Sequence, residues 1–103
     1  MKIIAAISHR IDEEIDDAKW YAKHALKYKS KKKALADTYY QISTEEVRHA
    51  NMLHAEVTKI IEEYRAKHGE PPEIMLQLYN YMHEQSMATM GEVQTLQQMF
   101  TSN

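Results

Sequence analysis

Residues 13–53 read EEIDDAKWYAKHALKYKSKKKALADTYYQISTEEVRHANML, a stretch with neither glycine nor proline and with the lysine-rich run KYKSKKK (27–33) in its middle. Leading into that run Ala18, Tyr21, Ala25 and Tyr28 recur at three- and four-residue steps, and after it Leu35, Tyr39, Ile42 and Leu53 resume the pattern. Such steps trace one face of an amphipathic helix. Five lysines so close together oppose a continuous helix, and Ser30 is a good N-cap residue, so a tight turn is expected there. Two long helices folded back on each other follow from this one stretch.

Outward from it, Ile4, Ile7 and Ile11 extend the first stripe, giving a helix over about 3–29. Val57, Ile60 and Tyr64 extend the second to about 31–67, a rod of roughly 50 Å at about 1.5 Å per residue. Lys67, His68, Gly69 and the pair Pro71-Pro72 then form a stop signal: a basic last turn, a glycine and trailing prolines. A third helix over about 73–100 carries Ile74, Leu78, Met82, Val93, Leu96 and Phe100, with Gly91 either weakening it or marking close packing. The expected fold is one all-α domain over 1–103, a long antiparallel hairpin plus a third long helix. Three such helices do not close a core over their full length, so a homo-oligomer of even number, a dimer or larger, is expected.

Composition narrows the function. The chain has 103 residues, a formal charge of −2, no cysteine, two glycines and two prolines. The charge gives no general pull toward nucleic acid or anionic lipid, and the missing cysteines exclude disulfide, zinc-finger and thiol chemistry. The opening MKIIAAISHR is charged too soon for a secretory signal, and no apolar run is long enough to span a bilayer, so a cytoplasmic location is expected. Lys27 to Lys33 reads as a solvated turn, and the five methionines from Met75 to Met99 read as adaptable packing or a partner-facing surface. His9, His24, His68 and His83 have no partners at ligand spacing.

The polar residues that interrupt the stripes carry the chemistry. On the first helix the seam 4, 7, 11, 14, 18, 21, 25 is apolar or aromatic except at Glu14. On the second, 35, 39, 42, 46, 49, 53, 57, 60 is interrupted by Glu46 and His49. A carboxylate in an apolar seam needs a compensating cation or proton. Glu14 and Glu46 stand equally far from residue 30, hence side by side in an antiparallel pair, and Glu46 and His49 share a helix face. Two carboxylates and an imidazole satisfy one another badly, and a divalent metal resolves the conflict. A buried Glu–Lys or Glu–Arg pair is the alternative, although Lys19 and Arg48 fall off the seam.

These residues resemble the ferritin-like superfamily. EEIDDAKWYAKHA (13–25) and STEEVRHANML (43–53) are similar to the helix pair of half-length encapsulated ferritins and rubrerythrin-type proteins. In that likeness a glutamate stands six residues before a Trp-Tyr pair, here Glu14 before Trp20-Tyr21. The second-helix motif matches Glu45, Glu46, Val47, His49 and Ala50. The resemblance implies a four-helix-bundle di-iron site with Glu14, Glu46 and His49 as ligands and Tyr21 as hydrogen-bond donor to a liganding carboxylate. Asp17, one turn from Glu14, is a candidate extra ligand or entry residue, whereas Glu13, Glu56 and His54 read as surface.

One chain supplies half of the usual four-glutamate, two-histidine set, so a two-fold dimer would complete the centre. Oxygen-rich ligation with one imidazole suits iron, with manganese second. The implied activity is ferroxidase-type oxidation of Fe(II), and the encapsulated likeness implies housing within a larger protein compartment. A cargo-targeting tail is not expected after the third helix, which counts against such housing, and any electron-transfer partner stays open. The competing class is a non-catalytic helical assembly or interaction protein on the same scaffold.

Overall fold

The computed structural model describes residues 2–102, leaving Met1 and Asn103, the ends of the expected domain, outside the description. Three helices account for nearly all of it: α1 (Lys2–Tyr28), α2 (Lys33–His68) and α3 (Glu73–Thr101). α1 and α2 run antiparallel, and α3 returns parallel to α1 and packs mainly against it, approaching α2 chiefly through side chains. The result is a three-helix bundle with principal extents of 55 × 19 × 17 Å.

The α1–α2 turn is built from backbone. The N–H groups of Lys31 and Lys32 both donate to the Tyr28 carbonyl, at 3.1 and 2.9 Å. Sharing that carbonyl carries the chain past Ser30 before helical geometry resumes. The N-cap position therefore falls on Lys32, which has no side-chain cap, rather than on Ser30 as the sequence suggests. The turn is also less idle than a solvated lysine run. Lys29 Nζ donates to the Ser102 carbonyl at 2.6 Å and stands 5.6 Å from the centre of the Phe100 ring. That puts a cation at the negative pole of α3. At the other end, Gly69 adopts φ 80° and donates its N–H to the Arg65 carbonyl at 3.0 Å, ending α2 as its position predicts.

The core seam is shifted in phase from the expected one. α1 buries Ile4, Ser8, Ile11, Ile15, Ala18, Ala22 and Ala25, and α2 buries Ala36, Ser43, Ala50, Val57 and Ile61. Positions 7, 14 and 21 of α1, and 39, 42, 46, 53 and 60 of α2, are only half-buried. The reason is α3, which lies on one side of the α1–α2 pair and draws the seam toward Ser8, Ile15 and Ala22. The opposite shoulder has no third helix against it. On α3 itself Ser86, Met90 and Val93 are buried, while Ile74 (78% exposed) and Leu78 (53%) are not, contrary to the stripe read from the sequence.

Small residues at the α1–α2 contact let the backbones come close. At its centre the fully buried Ser43 donates through Oγ to the Ala18 carbonyl (2.7 Å) and accepts from Gln97 Nε2 of α3 (3.0 Å). One hydroxyl thus ties all three helices at one level.

Gly91 does not mark close packing: a Cβ built there meets nothing within 4 Å. Its effect is purely conformational, a mid-helix residue with excess freedom in the unfolded chain. Gly91→Ala is expected to stabilise the protein by about 0.5–1 kcal/mol, read as a higher urea midpoint at unchanged slope. A lower midpoint would mean that this face of α3 is covered.

Candidate metal centre

One helical turn from the Ser43–Ala18 contact, α1 presents Glu14 and α2 presents Glu46 and His49. The antiparallel register brings a ligand atom of each within 4.8 Å of the others. His49 Nδ1 lies 3.6 Å from Glu14 Oε2 and 3.8 Å from Glu46 Oε1. Those separations are too long for hydrogen bonds. They are short enough to be spanned by a pair of metal–ligand bonds of roughly 2.1 Å each. The carboxylates are largely sheltered, with side chains 13% and 19% exposed, whereas that of His49 is 46% exposed. The expected buried histidine is thus a half-open one, because no helix covers this shoulder.

The electrostatics record the crowding of the acids. The Glu46 carboxyl is pushed up to about 7, chiefly by a hydrogen bond shared with Glu14, then by burial and by the charges of Glu14 and Asp17. The pair shares a proton because the carboxylates lie close together. Arg10, one turn before Glu14, opposes this shift: its Nη2 donates to Glu14 Oε1 at 3.1 Å. The cation beside the acids is thus Arg10 rather than Lys19 or Arg48, and its i, i+4 spacing to Glu14 is the signal in the sequence. Arg10 engages one oxygen of one acid and leaves the inner face of the cluster without a cation. The donor chemistry (two acids sharing a proton beside an imidazole) therefore fits a divalent ion with a preference for oxygen ligands.

The remaining expected residues divide. Asp17 is exposed and acts on the site through its charge. Tyr21 has its ring against Trp20 (5.1 Å between centres) and Tyr39 (5.7 Å), and among the described residues no hydrogen bond joins its hydroxyl to Glu14 or Glu46. Glu13 bonds to Arg10 at 2.9 Å and Glu56 to Lys59 at 3.2 Å, both at the surface. Lys19 pairs with Glu92 of α3, which removes it from the acids.

His54 is not the surface residue expected. It is half-buried and stacked on His83 of α3 with ring centres 4.8 Å apart, and Tyr79 stacks on His83 in turn. Burial, and then the neighbouring His83, push His54 below the ordinary histidine value. No sequence spacing could reveal this pair, since it forms between helices.

The chain matches no family model, no curated protein and no solved structure. The ferritin-like resemblance accordingly rests on the motifs and on a partly buried Glu/Glu/His cluster in an all-helical fold. Among the described residues no helix is long and apolar enough to cross a membrane.

The raised Glu46 value fixes a pH dependence. The folded chain holds this proton up to about 7, whereas the unfolded chain releases it near the ordinary glutamate value of 4.5. The associated stability is therefore full below the lower value and lost as pH rises through the upper one. Metal-free protein should lose on the order of 2 kcal/mol between those limits, measured by urea unfolding with a chelator present. Glu46→Gln should abolish that part of the slope. An unchanged slope in the variant would show that the two acids do not share a proton.

Proposed function

We propose that the protein is a ferritin-like iron-binding protein that takes up Fe(II) through Glu14, Glu46 and His49, at a centre completed by a second copy of the chain, and promotes its oxidation. The observation that carries this reading is the pair of sheltered carboxylates with an imidazole, a ligand atom of each within 4.8 Å of the others, on the shoulder that α3 leaves open. Around them the same shoulder offers half-buried Ile7, Tyr21, Tyr39, Ile42 and Leu53. An apolar, self-facing surface of this kind supports a two-fold contact that would bring both half-sites together.

In this reading Fe(II) is the substrate, and once bound it supplies a one-electron couple that dioxygen or peroxide can oxidise. The chain's own groups prepare for it. Glu46 gives up the proton it shares with Glu14, so uptake releases acid. Arg10 keeps its hold on the outer oxygen of Glu14 and orients the inner one. Asp17 adds negative charge at the exposed edge, which favours entry of a cation. His49, half in solvent, gives access from the same side.

Manganese shares the preference for oxygen ligands and is the alternative ion. The competing reading, a helical assembly protein without catalysis, is favoured by the same uncovered shoulder taken without its acids. Purified protein should retain about one iron per chain, half the di-metal complement of a complete bundle, measured by elemental analysis. Aeration of the Fe(II)-loaded form should produce a ferric absorption band. Glu46→Ala/His49→Ala should lose both while keeping its assembly state in sedimentation. Equal iron uptake by wild type and the double variant would refute the metal centre. Iron uptake without a ferric band would leave a binding protein and refute the oxidase.

A further inference from the structure

A second set of metal-ligating side chains lies on the other shoulder of α2, away from the acids. At about 100° per residue, His54 and Glu46 fall on opposite sides of the Ser43–Ala50–Val57 line. There all three helices line a cavity of about 20 Å³, with Ser8 contributed by α1, His54 by α2, and Met82, His83, Met87 and Met90 by α3. The volume suits a single small occupant, above the roughly 10–15 Å³ that one water needs. Ser8 is 5% exposed, and its Oγ has no hydrogen-bond partner, so a buried polar atom on the cavity wall is left unsatisfied. Such an orphan in a native core calls for an occupant.

The side chains around the cavity narrow the choice of occupant. His54 and His83 lie with their rings 4.8 Å apart, and among the described residues no hydrogen bond engages the ring nitrogens of either. Rotation about each Cβ–Cγ bond can therefore turn a nitrogen of both rings toward one point. Met82, Met87 and Met90 follow one another on the cavity-facing side of α3, and no carboxylate lines the cavity. Imidazoles with thioethers and no hard oxygen anion disfavour Fe(II), Mn(II) and Mg(II) and select a soft monovalent ion. The chain has no cysteine, so no thiol competes for that ion elsewhere.

We propose that His54, His83 and the thioethers of Met82, Met87 and Met90 form a binding site for Cu(I), separate from the acidic cluster. The site recruits residues from two helices and would clamp α3 onto α2, the helix pair whose backbones approach each other least. A water held by Ser8 is the competing occupant, and it makes no use of the sulfurs.

The test is anaerobic titration of the whole protein with Cu(I) against bicinchoninate, with Zn(II) as the borderline divalent comparison. Wild type should withdraw about one Cu(I) per chain from the chelator. His83→Asn and Met87→Leu should each weaken the site by about tenfold or more, while Glu46→Ala/His49→Ala leaves it unchanged. Met87 is 40% exposed, so its replacement by leucine, nearly equal in volume, spares the fold. In the unaltered protein, Ag(I) should shift the methyl resonances of Met82, Met87 and Met90 and leave that of Met99 in place. Failure of wild type to withdraw Cu(I) overturns the proposal, and so do methyl shifts confined to other methionines, or equal retention of Zn(II). Copper lost from the Glu46/His49 variant but kept by His83→Asn would likewise overturn it, assigning the metal to the acids. The acidic centre can fail its iron test without touching this result, since the two share no ligand.

Discussion

The Ser43 hydroxyl, fully buried between three helices, sets the axial position of each. Donating to the Ala18 carbonyl, it fixes α1 against α2. Accepting from Gln97, it holds α3 at the same level. Long smooth helices lined with alanine can slide past one another at little cost in apolar contact, whereas a buried polar group that loses its partner costs about 1–3 kcal/mol. The polar contact therefore specifies the register and the apolar contacts supply most of the cohesion. One turn along from this point, Glu14 faces Glu46 and His49. A slip of α2 by a single turn would part the acids and take the cluster with it.

That register gives the α1–α2 pair two unlike sides. One is closed by α3 and holds imidazoles and sulfur around a small cavity. The other is open and holds oxygen donors with excess negative charge. As pH rises, the open side works against folding of the metal-free chain, since the two carboxyl groups crowd each other once the proton leaves. Sites that store such conflict are typical places where stability is given up for binding. The aromatic cluster of Trp20, Tyr21, His24 and Tyr39 begins less than two turns from Glu14 and offsets part of that loss with stacked and edge-to-face contacts.

Much of this was legible in the sequence because helices announce themselves by period. The stretch around KYKSKKK specified a hairpin, and Gly69 with Pro71-Pro72 specified the end of α2. The level of Glu14 with Glu46 and His49 followed from distance to the turn. The phase of the seam did not follow, because Glu14 and Ile15 are both near the apolar stripe and only the position of α3 decides which is buried. Interhelical pairs were equally invisible: Lys29 with Ser102, Lys19 with Glu92, and His54 with His83 each join residues far apart in the chain. Ser30 failed as a cap because the turn geometry placed it two residues too early. Local chemistry proposes such roles, and the path of the backbone disposes of them.

The chain has a single tryptophan, and Trp20 lies 48% exposed on α1. Its ring stacks on His24 with centres 3.7 Å apart. Indole emission is sensitive to polarity and to nearby quenchers, so this residue is a built-in optical probe for the open shoulder. A second copy settling there would dry the indole and move its emission to the blue. A paramagnetic ion among the acids would darken it. Events on the α3 side, shielded by the bundle, would leave the signal nearly unchanged. Light from one side chain thus distinguishes which face of the molecule is engaged.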